Sequence, residues 1–180
     1  NAAAFNGING AVTFSADKGP VSGTGPFTIS AWVRTAGTNL QVLVQQRDAT
    51  TTNGQYMLHV DGVGQVSYWE GGGAAINPIS CVPVTDGAWH YVTSVRNGTN
   101  CYLYVDGLPA GSDRDSAAVS IDPLRDLAFA YDRRNTNSFF NGSLDEIQIS
   151  GVARSASWIW SSYLNQMADA SFIAYGPATS

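Results

Sequence analysis

Residues 86–107 read DGAWHYVTSVRNGTNCYLYVDG. Two runs rich in Val and Tyr, residues that fit a pleated surface, flank a polar centre. That centre is RNGTN, where Asn97-Gly98 supplies the positive φ a tight turn requires. The stretch therefore predicts a β-hairpin.

Upstream, residues 54–62 (GQYMLHVDG) and 64–73 (GQVSYWEGGG) predict another hairpin, closed by a short turn containing Asp-Gly. Earlier still, residues 26–35 (PFTISAWVRT) alternate strictly. Thr28, Ser30, Trp32 and Arg34 fall on one face and Phe27, Ile29, Ala31 and Val33 on the other. Residues 11–16, 40–48, 126–131 and 143–150 add further strand-like runs. One segment departs from this pattern. Residues 155–168 (SASWIWSSYLNQMA) lack Gly and Pro, begin with Ser at a plausible N-cap and place apolar residues near helical spacing. A short helix is expected there, then a last strand in residues 171–176. Turn-separated short strands with almost no helix predict an all-β fold, an antiparallel β-sandwich. The 180 residues suffice for one domain with a core, with residues 177–180 expected as a tail.

Charge narrows the functions. The formal net charge is −5, and no basic cluster exceeds the pair Arg133–Arg134, so a nucleic-acid track is absent. No apolar run approaches a membrane span. Only 13 % of residues are charged, so Ser, Thr, Asn, Gln and Gly must cover much of the surface, as in many secreted proteins. The abrupt start at Asn1 suits a processed or excised domain, expected within a larger chain and outside the cell. Cys81 and Cys101 form no CxxC pair. A disulfide between them would close a loop of about 20 residues, for roughly 3 kcal/mol; two separate buried thiols are the alternative.

Four phrases in order now resemble one family. Residues 4–14 (AFNGINGAVTF), 26–35, 86–107 and 140–159 (FNGSLDEIQISGVARSASWI) are similar to the laminin G-like branch of the concanavalin A-like lectin/glucanase superfamily. The resemblance implies a jelly roll of two antiparallel sheets, one concave and one convex, in a family that is mostly extracellular and often binds calcium. It implies little about activity, because the fold hosts lectins, carbohydrate-binding modules, adhesion domains and glycosidases.

The acids Asp145 and Glu146 are the first candidates for chemistry. On a regular strand, neighbours point to opposite faces, with Asp145 on the side of Ile147 and Ile149, taken as the core side, and Glu146 on that of Gln148. A retaining glycosidase needs two carboxyls about 5–5.5 Å apart. The only glutamates, Glu70 and Glu146, are far apart in sequence, so no catalytic pair is expected. The resemblance instead implies a structural calcium ion held by Asp145 with oxygens of Asn6, Gly7 and Asn9. Asn6 stands where relatives frequently carry Asp, which removes a charge. Alternatively, Asp145 caps loop N–H groups without an ion.

A glycan site needs an aromatic platform and fixed polar groups. Trp69, before a Gly-rich loop, and Tyr131, followed by Asp132 and Arg133 in a rim loop, are the candidates; His59, which alternates with Gln55 and Met57, is a further one that faces either a groove or open surface. Phe27 and Trp89 are expected in the core. The reading is a non-catalytic extracellular module that binds polysaccharide by stacking and hydrogen bonding. The alternative is a protein–protein or cell-adhesion module of a large surface protein.

Overall fold

The computed structural model describes residues 2–14, 20–50, 53–71, 78–114, 118–134 and 138–167. The Gly-rich residues 72–73, Asn135, the expected strand at 171–176 and the tail at 177–180 lie outside them.

The described residues form twelve strands and one helix. They are β1 (Ala3–Asn6), β2 (Val12–Phe14), β3 (Phe27–Arg34), β4 (Gln41–Gln46), β5 (Gln55–Val60), β6 (Gln65–Gly71), β7 (Ile79–Pro83), β8 (Trp89–Asn97), β9 (Asn100–Val105), β10 (Leu108–Arg114), β11 (Leu127–Phe129), β12 (Asn141–Ser150) and α1 (Ala156–Gln166). The first sheet runs β1-β12-β3-β8-β9-β10 and the second β2-β11-β4-β5-β6-β7. Every strand pair is antiparallel. The two expected hairpins are β5–β6 and β8–β9, the latter turning at Gly98 with φ +63°.

The core lies between the sheets. Phe27, Ile29, Ala31 and Val33 of β3 are buried, as their alternation predicts, and share one cluster with Tyr56, Leu58 and Tyr68 of the second sheet. An ion pair runs through this interior. Arg96 Nη1 lies 3.4 Å from Glu70 Oε1, with neither side chain exposed, and the guanidinium sits 5.4 Å from the centre of the Phe27 ring. Tyr68 donates its hydroxyl proton to Glu70, and Arg96 donates to the carbonyl of Val119.

The other face of β3 is also buried at Thr28 and Ser30, because the chain folds back over it. Thr28 Oγ1 donates to the carbonyl of Val152 at 2.8 Å and accepts from Arg154 N at 2.9 Å. Helix α1 then crosses this outer face. Ser155 Oγ accepts from Trp158 N at 3.2 Å, the expected N-cap. Ile159 is fully buried against Tyr91 and Val95. At Gly107, with φ +78°, an added Cβ would come within 2.7 Å of Trp160 Cε3, so the β9–β10 turn meets the helix through a bare backbone.

The cysteines correct one expectation. Both are free thiols: Cys101 points into the core from β9, whereas Cys81 is exposed on β7. They sit on strands of different sheets, and no disulfide joins them.

Candidate functional site

The outer face of the second sheet carries an unusual concentration of buried polar groups. Tyr56, Leu58 and Tyr68 point inward, so Gln55, Met57, His59, Ser67 and Trp69 point outward. Register sets Gln45, Met57 and Trp69 in one row and His59 opposite Ser67 in a neighbouring one. Arg47, just past the end of β4, reaches across. Its Nη1 donates to Asp132 Oδ1 at 3.2 Å and to Met57 Sδ at 3.6 Å, and its guanidinium lies 5.3 Å from the centre of the Trp69 ring. Asp132 Oδ1 also accepts from Arg134 N at 2.9 Å, which fixes the carboxylate against its own loop.

These groups have unused hydrogen-bonding capacity. Both amide atoms of Gln45, Nε of Arg47 and Nδ1 of His59 are buried and have no partner among the described residues. Such atoms each cost about 1–3 kcal/mol, so a cluster of them calls for an explanation beyond folding. Burial also pushes the His59 pKa down to about 4, against opposing fields from Asp61 and Asp132, so His59 is neutral near pH 7. Trp69 is only half-buried and is the aromatic through which the cluster meets solvent.

Of the expected ligand residues, Trp69, His59 and Asp132 are thus gathered around Arg47. Tyr131 is turned to another partner, its ring stacked on Phe139 at 4.6 Å. Arg133 Nη2 lies 2.7 Å from Asp126 Oδ2 and belongs to a separate ion pair. Arg47 and Gln45 were not singled out in the sequence. Their signal is faint: the run 40–48 (LQVLVQQRD) ends in polar residues of both parities, so nothing sets Gln45 and Arg47 apart from Gln46 and Asp48.

The residues expected to hold calcium are arranged differently. Asn6 Oδ1 accepts from Ile8 N at 2.9 Å and Asn9 N at 3.1 Å, while Asn6 Nδ2 donates to Asn9 Oδ1 at 2.9 Å. The loop is closed on itself by its own amides. Asn6 pairs with Asn141, whereas Asp145 lies four residues further along β12, opposite Trp32. Asn6 Oδ1 is thus engaged by amides of its own loop, and among the described residues no group of three His, Cys, Asp or Glu side chains could hold a metal.

The acidic doublet brings a second correction. Register along β12 shifts between Asp145 and Gln148, so that Glu146 and Ile147 together oppose Ala31. This is a β-bulge, and Glu146 takes φ +47° to make it. Alternation restarts after the extra residue. Asp145 therefore lies beside Trp32 on the outer face, away from the core, and Glu146 lines the same cavity as Asp145. Consecutive residues diverge only on a regular strand, and this one is interrupted. Trp89, expected in the core, lines that cavity too and is 38 % exposed.

Comparison with known proteins follows the same lines. Residues 6–160 match the family model described as the concanavalin A-like lectin/glucanases superfamily, of the laminin G type. No curated protein matches the chain. Among solved structures, domain 4 of AbnA, an extracellular arabinanase from Geobacillus stearothermophilus in complex with arabinotriose, is 20 % identical over 89 % of this chain and 75 % of its own, with a TM-score of 0.74. The Ruminococcus gnavus sialidase module CBM40, bound to α2,3-sialyllactose, is 14 % identical over 86 % of this chain and 97 % of its own, with a TM-score of 0.67. The binding domain of Paraclostridial Mosquitocidal Protein 1 is 17 % identical over 91 % of this chain, with a TM-score of 0.75; this chain spans only 43 % of its length. At these identities the likeness is one of fold. The extent of the family match decides affiliation, and the chain belongs to the laminin G-type branch of the concanavalin A-like lectin/glucanases superfamily.

Proposed function

We propose that this domain is a non-catalytic carbohydrate-binding module that works outside the cell as part of a larger chain, and that it takes glycan at the outer face of the second sheet. The supporting observation is the set of buried, unpartnered polar atoms of Gln45, Arg47 and His59 packed around Trp69 and Asp132. A sugar presents an apolar C–H face to an aromatic ring and hydroxyls to planar polar groups. Trp69 supplies the ring. Asp132 and Arg47 supply charge-assisted hydrogen bonds from a fixed ion pair, and neutral His59 and Gln45 supply further donors and acceptors. Solved neighbours that are glycan-binding domains support the reading.

The absence of catalysis belongs to the same proposal. Asp145 and Glu146 share a cavity, so their orientation no longer argues against a carboxylate pair. Burial does. The acid of a glycosidase sits in an apolar pocket, whereas Glu146 is exposed and Asp145 half-exposed. Incubation with polysaccharides should release no reducing ends.

Affinity electrophoresis against neutral and acidic polysaccharides tests the binding. Retention by at least one polysaccharide is expected, and Trp69→Ala should weaken it by removing roughly 0.5–1.5 kcal/mol of ring contact, up to about tenfold in affinity. If no polysaccharide retards the domain, the reading fails, and the protein–protein or adhesion alternative takes its place. Calcium is a separate question. An ion at the Asn6 loop would have to take Asn6 Oδ1 from its amides, so equal melting midpoints with calcium and with chelator are expected. A rise with calcium, by mass action, would restore the ion.

A further inference from the structure

The cavity lined by the acidic doublet is distinct from the Trp69 face. It has a volume of about 570 Å³ and opens between the C-terminal half of α1 and the outer face of the first sheet. Trp32, Trp89 and Tyr163 provide aromatic wall. Two of these rings are held in place: Trp32 donates Nε1–H to Gln166 Oε1 at 2.8 Å and stacks on Tyr163 at 5.8 Å. Asp145 and Glu146 provide two carboxylates, delivered to the same space by the bulge.

Nothing neutralises that charge. Neither carboxylate belongs to an ion pair among the described residues, and the one hydrogen bond to Asp145 Oδ1 comes from the backbone N–H of Glu146, at 3.0 Å. No Lys, Arg or His lines the cavity among the described residues. The nearest cation by register is Arg34, beside Trp89 and Ser143, and its Nε donates to the carbonyl of Gly87 at 2.9 Å, at the edge of a neighbouring hollow.

Chemistry narrows the occupant. Aromatic faces are electron-rich and attract cations that carry apolar surface. Two unpaired carboxylates reinforce that attraction and repel sialate, uronate or phosphate. A hard metal ion would gain nothing from the rings, because it takes oxygen ligands. A neutral sugar could donate hydroxyl hydrogen bonds to the carboxylates but would leave their net charge unbalanced. We propose that the cavity between α1 and the first sheet is a second binding site, for an organic ammonium cation: a quaternary ammonium, or a protonated amine with carbon substituents.

Titration calorimetry of the intact chain with tetramethylammonium chloride tests this, with tert-butanol as the neutral probe of similar size and sodium chloride as the ionic-strength control. Saturable binding of tetramethylammonium, with none of tert-butanol, is expected. Trp89→Ala, and separately Asp145→Asn combined with Glu146→Gln, should each weaken it by about tenfold. Glu146 is exposed, so Glu146→Gln alone serves as a variant expected to fold, with a smaller loss. Equal binding of the two probes, no saturable heat, or binding unchanged in these variants would overturn the proposal. Trp69→Ala should leave tetramethylammonium binding intact, so failure here and failure of the glycan reading are told apart.

Discussion

The two histidines titrate in opposite directions. His90 lies between two carboxylates, with Nδ1 at 2.8 Å from Asp106 Oδ2 and Nε2 at 3.1 Å from Asp86 Oδ1. The hydrogen bond to Asp106 raises its pKa despite partial burial. A raised folded value means that His90 contributes stability below the unfolded value of about 6.5, and that this is lost as pH rises through the folded value. His59 behaves in the reverse sense. Its folded pKa is pushed down to about 4, so its contribution is lost as pH falls from about 6.5 toward 4. Urea midpoints at pH 5 and pH 8 separate them. His90→Gln should cost more at pH 5 than at pH 8, whereas His59→Gln should flatten the acid decline of the parent protein. The residue scale is also where the sequence was least legible. Asp145 and Glu146 were visible as a pair, but their directions depended on a bulge. A bulge is a backbone event, and Glu rarely adopts the positive φ seen at Glu146, so residue type did not announce it. The grouping of Trp69, His59 and Asp132 was partly legible, because all three were candidates; Arg47, which joins them, was not.

At the scale of elements, pattern and structure agree where burial is one-sided. The alternation of residues 26–35 became β3, with its apolar parity in the core, and the Ser155 cap became the start of α1. The helix depends on its docking more than on its propensity, since an 11-residue helix is marginal alone. Ile159→Ala should therefore cost about 2–4 kcal/mol, read as a shift in urea midpoint, while Ser155→Ala should cost only about 1 kcal/mol. Equal costs would mean that the helix stands without the sheet. Edge strands were harder to read. β10 (LPAGSDR) and β7 (ISCVP) show no sustained alternation, because they join their sheets through backbone pairing and expose much of both faces. The expected first strand at residues 11–16 is β2, whereas β1 (Ala3–Asn6), which lies in the other sheet, was not read as a strand of its own.

For the whole molecule, the ion pair inside the sandwich is the most consequential choice of residues. Glu70 of the second sheet and Arg96 of the first meet with neither side chain exposed, tying the layers together by charge as well as by apolar contact. Breaking such a pair leaves one buried charge uncompensated, so Glu70→Ala should destabilise by roughly 3–5 kcal/mol, whereas joint replacement by Leu and Met should cost far less. A denaturation cycle over the two single variants and the double variant measures the difference. Family membership was legible from four phrases, because the fold's core strands carry them. The bulge, the free thiols and the position of Trp89 emerged only once strands were placed beside one another.

The two sheets lie back to back, and each turns one proposed recognition surface toward solvent. These surfaces look in opposite directions, with the full thickness of the protein between them. A short ligand cannot be gripped at both together. A glycan on one side and an ammonium-bearing ligand on the other can, so one copy of this domain would bridge two different ligands rather than clamp one.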